Sequence, residues 1–334
     1  MSGHGVLRWG VLSTARIGVR KVIPAIQRAD RCEVVAIASR DRARADEVAG
    51  RFGIPRAHGS YEDLLADDEV DAVYVPLPNH LHGEWAIAAA RAGKHVLCEK
   101  PLAMHAAEAQ AMIDACATAG VRLMEAFMYR LHPSWEAVRE LVAGGKIGAL
   151  GAVQTRFSYF NDDPANIRNI REAGGGALMD IGCYAVDASR MLFGAEPDSV
   201  QASVTRDAGS GVDILTSAIL RFGDGVATFT CATQLEPDQH VHVSGERGRI
   251  SVGIPFNIPP DLPTEVTVTA GGEPPVAPAS EVLTFEPADQ YEIQAARFAR
   301  AVLEDEPVPI PPEDAVANMR VLDRIVEAAE GGSR

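Results

Sequence analysis

The chain has 334 residues, 47% of them apolar and 23% charged, with a net charge of −15 at neutral pH. That length exceeds what one ordinary core organises, so two domains are expected. The acidic balance excludes a dedicated nucleic-acid or anionic-membrane surface, because both need basic patches. No apolar run approaches the ~20 residues that span a bilayer. The N-terminal MSGHGVLRWG lacks the apolar core and cleavage site of a signal peptide. A cytoplasmic location is therefore expected. The five cysteines (Cys32, Cys98, Cys116, Cys183 and Cys231) are odd in number and not at metal spacing, which predicts packing groups rather than a disulfide framework.

The first half alternates two periods. Strands are predicted over residues 7–12, 33–39, 70–76, 94–98 and 121–125, and helices over 17–29, 42–52, 80–92 and 105–119. Short, nearly continuous apolar strands separated by helices predict a parallel sheet covered on both faces. The fold class expected is α/β: a Rossmann-type doubly wound domain over 1–127. Beyond residue 145 the strands lengthen and partly alternate, as over 151–160, 214–222 and 226–234, with Gly223-Asp224-Gly225 as a turn. That pattern predicts an α+β domain over 128–310 with a large, mainly antiparallel open sheet. A helix over 176–193 interrupts it, 255–263 is a proline-rich loop, and helices are expected over 290–303 and 314–329. Residues 311–334 are expected to pack back on the body.

The first strand runs into Ser13-Thr14-Ala15-Arg16-Ile17-Gly18, which has the spacing of G-x-G-x-x-G with Ser and Ala at the first two glycine positions. Small residues there let backbone approach a pyrophosphate at a helix N-terminus. An ordinary strand-to-helix turn would read similarly, but this one opens the first β-α-β unit. NAD-selective domains place an acid at the end of the second strand. Here the residues are Ser39-Arg40-Asp41, with Arg44 one turn on. Ser39, Arg40 and Arg44 suit a ribose 2′-phosphate, while Asp41 suits a helix cap. NADP is the expected cofactor, with NAD as the alternative.

Two further segments lie at C-terminal ends of parallel strands, where open α/β sheets bind ligands. One runs Pro76-Leu77-Pro78-Asn79-His80-Leu81-His82, which puts Pro76, Asn79 and His82 among the cofactor-side candidates. The other is Glu99-Lys100-Pro101. Much later comes Gly174-Gly175-Gly176-Ala177-Leu178-Met179-Asp180-Ile181-Gly182-Cys183-Tyr184. On a helix Asp180 and Tyr184 share a face, so an acid, a phenol and a lysine are candidates to act on one alcohol.

On these residues the whole chain resembles the glucose–fructose oxidoreductase / inositol dehydrogenase (Gfo/Idh/MocA) family. Glu99-Lys100-Pro101 and the glycine-rich run to Tyr184 are the most specific elements. Trp9-Gly10-Val11-Leu12 through Gly18, Ser39-Arg40-Asp41 and Met124-Glu125-Ala126 are similar to the branch of NADP-dependent xylose dehydrogenases and dimeric dihydrodiol dehydrogenases. The resemblance implies that Lys100 lies beside nicotinamide and substrate, that Asp180 is the acid of the glycine-rich helix, and that Tyr184 stands where many members have histidine. It also implies a dimer or tetramer formed through the second domain's sheet. Glu99 is expected at the nicotinamide-side ribose, and Asn166 and Arg168 at the substrate. A phenol near its ordinary pKa of ~10 is a poor base at neutral pH; an ammonium nearby lowers it, the part given to Lys100. Either group could carry the proton.

The expected activity is NADP-dependent hydride transfer to or from a sugar, polyol or related cyclic alcohol, such as oxidation of an aldose at C1. A dihydrodiol dehydrogenase or a dicarbonyl or anhydro-sugar reductase would use the same residues, and a non-catalytic NADP sensor is the alternative from another class. No metal is expected: His80 and His82, like His240 and His242, stand two apart without a third ligand. For the cofactor reading, Arg40→Ala should weaken NADPH binding by tenfold or more, on the order of one charge-assisted contact, and leave NADH nearly unchanged. Titration of both nucleotides checks this; equal losses overturn it.

Overall fold

The computed structural model describes residues 5–271 and 279–331. Residues 1–4 of the N-terminal segment read above, and 332–334 of the expected C-terminal segment, lie outside the described residues. Two compact units emerge, Met1–Met128 with Gln290–Val316, and Tyr129–Asp289 with Ala317–Arg334.

In the first unit, strands β1 (Leu7–Leu12), β2 (Cys32–Ala38), β3 (Arg56–His58), β4 (Ala72–Val75), β5 (His95–Cys98) and β6 (Leu123–Glu125) form one sheet in the order β3-β2-β1-β4-β5-β6. Its ladders are all parallel. The order reverses between β1 and β4, which opens a crevice at the carboxyl ends of the strands. Helices α1 (Ile23–Arg28), α2 (Arg42–Phe52), α3 (Tyr61–Leu65), α4 (His82–Arg91) and α5 (Ala106–Ala119) connect them. Strand β4 is buried at every residue, as expected of a central parallel strand.

The helix predicted over 17–29 starts differently. A π-helical turn spans Gly18–Val22, and α-helix begins only at Ile23. Pro24 lacks the N–H that an α-ladder would direct to Arg20, and its ring crowds that carbonyl; a widened turn accommodates both. The short β3 and α3 were not predicted, since three and five residues carry too little periodicity.

The second unit opens with α6 (Pro133–Ala143), also unpredicted; its N-cap is His132, whose side chain accepts from the Ser134 N–H, and histidine is not a standard cap signal. Strand β7 (Leu150–Phe160) follows, then α7 (Cys183–Phe193) and the strands β8 (Ser199–Arg206), β9 (Asp213–Phe222), β10 (Gly225–Ala232), β11 (Gln234–Gly245), β12 (Gly248–Val252), β13 (Thr264–Ala270) and β14 (Ala279–Phe285). They form a sheet in the order β14-β13-β12-β11-β7-β10-β9-β8. In this sheet, among the described residues, only the β7–β10 ladder is parallel. The register of β11 on β7 slips between Gln234 and Asp238, where Pro237 has no N–H for the ladder. One face, with Val153, Phe157, Phe229 and Val241, is buried. The other is polar, with Gln154, Arg156, Ser217, Thr228 and Thr230.

Helices α8 (Gln290–Leu303) and α9 (Pro312–Gly331) end the chain. Residues 290–310, expected with the second domain, belong instead to the first unit. Phe298 of α8 packs on Trp9 of β1 with ring centroids 5.3 Å apart, both fully buried. Ion pairs Arg28–Glu292 and Arg31–Glu304 line the edge of this contact, but exposed pairs add little. The periodicity of α8 shows an apolar face and cannot say which surface covers it. Among the described residues no helix is long and apolar enough to cross a membrane.

Candidate active site

The predicted residues form two groups, one in each unit. In the first, Ser13 adopts φ 138°, a conformation that favours glycine. Its hydroxyl donates to the Pro76 carbonyl at 3.3 Å and accepts from the Ala15 N–H at 3.2 Å. Serine thus replaces glycine by tying the loop to the end of β4. Thr14 and Ile17 are half-buried beside it and Arg16 is exposed. At the end of β2, Ser39 is buried and its hydroxyl accepts from the Asp41 N–H. Asp41 caps α2, accepting from Ala43 and Arg44 N–H groups at 3.0 and 3.4 Å. The nearest acid is therefore engaged by the helix start. Arg40 and Arg44 are exposed. The Arg40 charge works against the rise in the Tyr61 phenol's pKa that burial causes.

The lysine segment is held from several sides. Tyr74 of β4 is fully buried and donates to Glu99 Oε1 at 2.6 Å. Burial, with the Glu99 charge, holds its pKa well above the ordinary range, so it remains a donor. Glu99 Oε2 accepts from the Lys100 N–H at 3.3 Å. The Lys100–Pro101 peptide is cis. Beyond it, Leu102 N–H donates to the buried Glu125 at 2.7 Å, and Met104 N–H to Glu108 at 2.7 Å. His82, with no exposed surface, sets Nδ1 2.9 Å from the Pro101 carbonyl and Nε2 2.8 Å from the Leu77 carbonyl. Both ring nitrogens face backbone carbonyls and the ring has no exposed surface, so His82 presents no atom to a cofactor. It braces the two strand ends instead. Pro76 is buried and Asn79 half-buried in the turn after β4.

In the second unit, the glycine-rich run begins a helix. A π-helical turn spans Leu178–Gly182 and leads into α7. Gly176 has φ 117°, and a Cβ there would stand 2.0 Å from Asp213 Oδ1. Asp213 supplies the cap that no local residue provides, accepting from the Leu178 N–H and the Thr216 hydroxyl, both at 2.7 Å. At Gly175 a Cβ would meet the Arg168 carbonyl oxygen at 2.5 Å, so the helix start lies against the segment carrying Arg168. Asp180 then accepts from Tyr159 at 2.5 Å and from Arg168 Nε at 2.9 Å. Burial and the Asp180 charge push the Tyr159 pKa far up, which keeps it a donor. Asn166 does not reach Asp180; its side chain accepts from the Arg168 N–H and shapes that turn. Tyr184 is nearly buried, with the rings of Phe256, Tyr129 and Phe157 centred 5.1, 5.7 and 5.8 Å away. Phe256 comes from the proline-rich loop, anchored by the Trp135 indole N–H on the Pro255 carbonyl at 2.6 Å. Tyr129 and Arg130 both donate to Asp187 on α7.

Residues 7–127 match the family model described as oxidoreductase family, NAD-binding Rossmann fold, and residues 135–251 match the GFO/IDH/MocA C-terminal domain. The chain belongs to the Gfo/Idh/MocA oxidoreductase family. It is similar to a member from Haloferax volcanii named D-xylose 1-dehydrogenase (NADP(+)) 2, 45% identical over 98% of both chains. A mouse trans-1,2-dihydrobenzene-1,2-diol dehydrogenase is 36% identical over 74% of each chain. Among solved structures, a 3-ketoreductase from Actinomadura kijaniata, in complex with NADP and TDP-benzene, superposes with a TM-score of 0.90 at 32% identity, covering 97% of this chain and 98% of that one.

Several residues that hold these two candidate groups in place carried no local signal. Tyr74 reads only as a buried strand aromatic, and Tyr159, Asp187 and Asp213 as scattered polar residues. Glu108 stands three after the cap His105, the spacing of a capping box, but histidine masks it. Among the described residues no group of three His, Cys, Asp or Glu is placed to hold a metal.

Burial lowers the His82 pKa from 6.5 to about 4, although the two facing carbonyls favour the protonated ring. The unfolded chain therefore binds this proton more tightly than the folded one. The stability it contributes is complete above pH 6.5 and is lost as the pH falls toward 4. At ~1.4 kcal/mol per pH unit, that interval corresponds to about 3 kcal/mol. Denaturant unfolding at pH 7 and pH 4 should show the wild type losing about that much more than His82→Asn; equal losses overturn the assignment.

Proposed function

We propose that this chain is an NADP-linked oxidoreductase that transfers hydride between the nicotinamide and a hydroxyl-bearing carbon of a sugar or polyol, with oxidation of an aldose at C1 as the leading case. What carries the cofactor half is the end of β2: two exposed arginines stand by Ser39, while the acid that could bind a ribose 2′-hydroxyl is spent as the α2 cap. The glycine-like backbone at Ser13 fits a nucleotide phosphate approached by main chain. The relative named D-xylose 1-dehydrogenase (NADP(+)), matched over nearly the full length, supports the same reading for substrate and cofactor.

When bound, the nicotinamide supplies C4 as hydride donor or acceptor. The chain's own groups handle the proton and the orientation. Asp180, held by a phenol and a guanidinium that both donate to it, acts as an acceptor for substrate hydroxyls rather than as an acid. Tyr184, with its ring fixed by three aromatic neighbours, exchanges the hydroxyl proton, and Lys100 supplies the positive charge that favours loss of that proton. The braced segment around Lys100 limits its backbone freedom, which favours one reacting geometry.

Lys100→Met and Tyr184→Phe should each keep NADPH affinity and lower kcat by ~10²–10⁴, the range of general acid–base contributions. A panel of aldoses, polyols, dihydrodiols and dicarbonyls, followed by NADPH absorbance in both directions, checks this. Near wild-type rates in both variants overturn the role assignment, and NADPH binding without any turnover favours a sensor. The polar open face of the second unit's sheet is assigned to self-association. Sedimentation should then give a mass of two or four times 35.6 kDa, and a monomer excludes it.

A further inference from the structure

His82 is the buried titratable side chain that joins two strand ends. Strands β4 and β5 are paired up to Val75 and Cys98. Beyond that pair the two main chains lose their ladder and separate into the Leu77–Asn79 turn and the Glu99–Met104 segment. A carbonyl from each, Leu77 and Pro101, faces one nitrogen of the same imidazole, at 2.8 and 2.9 Å. The neutral ring carries one N–H, which donates to one of these carbonyls, while its rigid body stands against the other and sets how closely the two segments approach. Proline's fixed φ passes that constraint to the adjacent Lys100. Without the ring, the carbonyl that its N–H serves has no donor from this position.

The ring sits on α4, directly after the turn that carries Asn79. The groups facing it are the Leu77 and Pro101 carbonyls, the Leu102 backbone and the Lys100 charge. A residue serving packing alone would need no nitrogen on either side. Here each ring nitrogen faces a carbonyl of a segment that carries candidate site residues, and one of them donates.

We infer that His82 is a positioning residue: it locks the Lys100 segment in register with the turn after β4, and so sets where the lysine ammonium stands. What that register serves rests on the hydride-transfer reading; the register itself does not.

The test compares His82→Leu, His82→Asn and His82→Gln in the full chain. Asparagine retains a donor near the Nδ1 position, toward Pro101, and glutamine one near Nε2, toward Leu77. His82→Leu should lower kcat by about 100-fold, the scale of an ångström-sized misplacement, with a change in substrate KM of less than ~5-fold, since uniform binding is not what is lost. At least one amide variant should recover ~10-fold of that loss. An unchanged kcat in folded His82→Leu, or no rescue by either amide, overturns the inference. If His82→Leu does not fold, the two amide variants decide: kcat below wild type with KM retained supports it, and wild-type kcat in both overturns it.

A second readout needs neither cofactor nor turnover. The chain has four lysines, Lys21, Lys94, Lys100 and Lys146. After reductive ¹³C-methylation each gives its own NMR signal, assignable by Lys→Arg variants. In the amide variants and in His82→Leu the Lys100 signal should move while Lys21 and Lys146 stay. An unmoved Lys100 signal overturns the inference. A moved signal in a chain that turns over nothing on the panel leaves it standing and removes the hydride-transfer reading.

Discussion

The interaction on which the first unit's site depends is the satisfaction of backbone just past β5. Once the main chain leaves the sheet it loses its ladder partners, and buried polar groups without partners are costly. Here Glu125 and Glu108 accept from the N–H groups of Leu102 and Met104, His82 faces the Pro101 carbonyl, and Tyr74 fixes the Glu99 carboxylate that in turn accepts from Lys100 N–H. Four different elements thereby determine one short segment. The position of a flexible lysine is inherited from a rigid backbone.

The second unit solves a related problem at a helix start. The first turn of a helix leaves N–H groups without partners, and the glycine-rich run offers no local side chain to accept from them. Asp213, from the start of β9, takes that part, and its carboxylate occupies the volume that any side chain at Gly176 would need. The glycines are thus explained by the close approach of Asp213 and of the Arg168 backbone. That approach brings Arg168 to Asp180, where Tyr159 also donates. A carboxylate held by two donors stays an acceptor.

Side chains distant in sequence from the motifs therefore hold much of both groups of candidate residues in place. Burial keeps Tyr74 and Tyr159 protonated as donors, and it pushes the Cys98 and Cys231 thiols well up, leaving them as packing groups. The resemblance of Glu99-Lys100-Pro101 and Gly175 through Tyr184 to a family motif was legible because those residues are contiguous in the chain. Their supports are not: Tyr74 lies 25 residues from Glu99, and Asp213 lies 35 residues from Leu178. Nothing in a one-dimensional pattern links such pairs.

Local patterning by itself determined the α/β class, the parallel first sheet and the mainly antiparallel second one, because strand and helix periods are local properties. It likewise placed Ser13, Ser39, Lys100 and Asp180 at strand ends or helix starts. Only the tertiary structure decided that α8 covers β1 and β2, that Pro24 is preceded by a widened turn, and that His82 braces backbone. Each of those outcomes is a choice of partner. An amphipathic face or a buried nitrogen shows that a partner is required, while its identity depends on which distant segment the folded chain brings within reach.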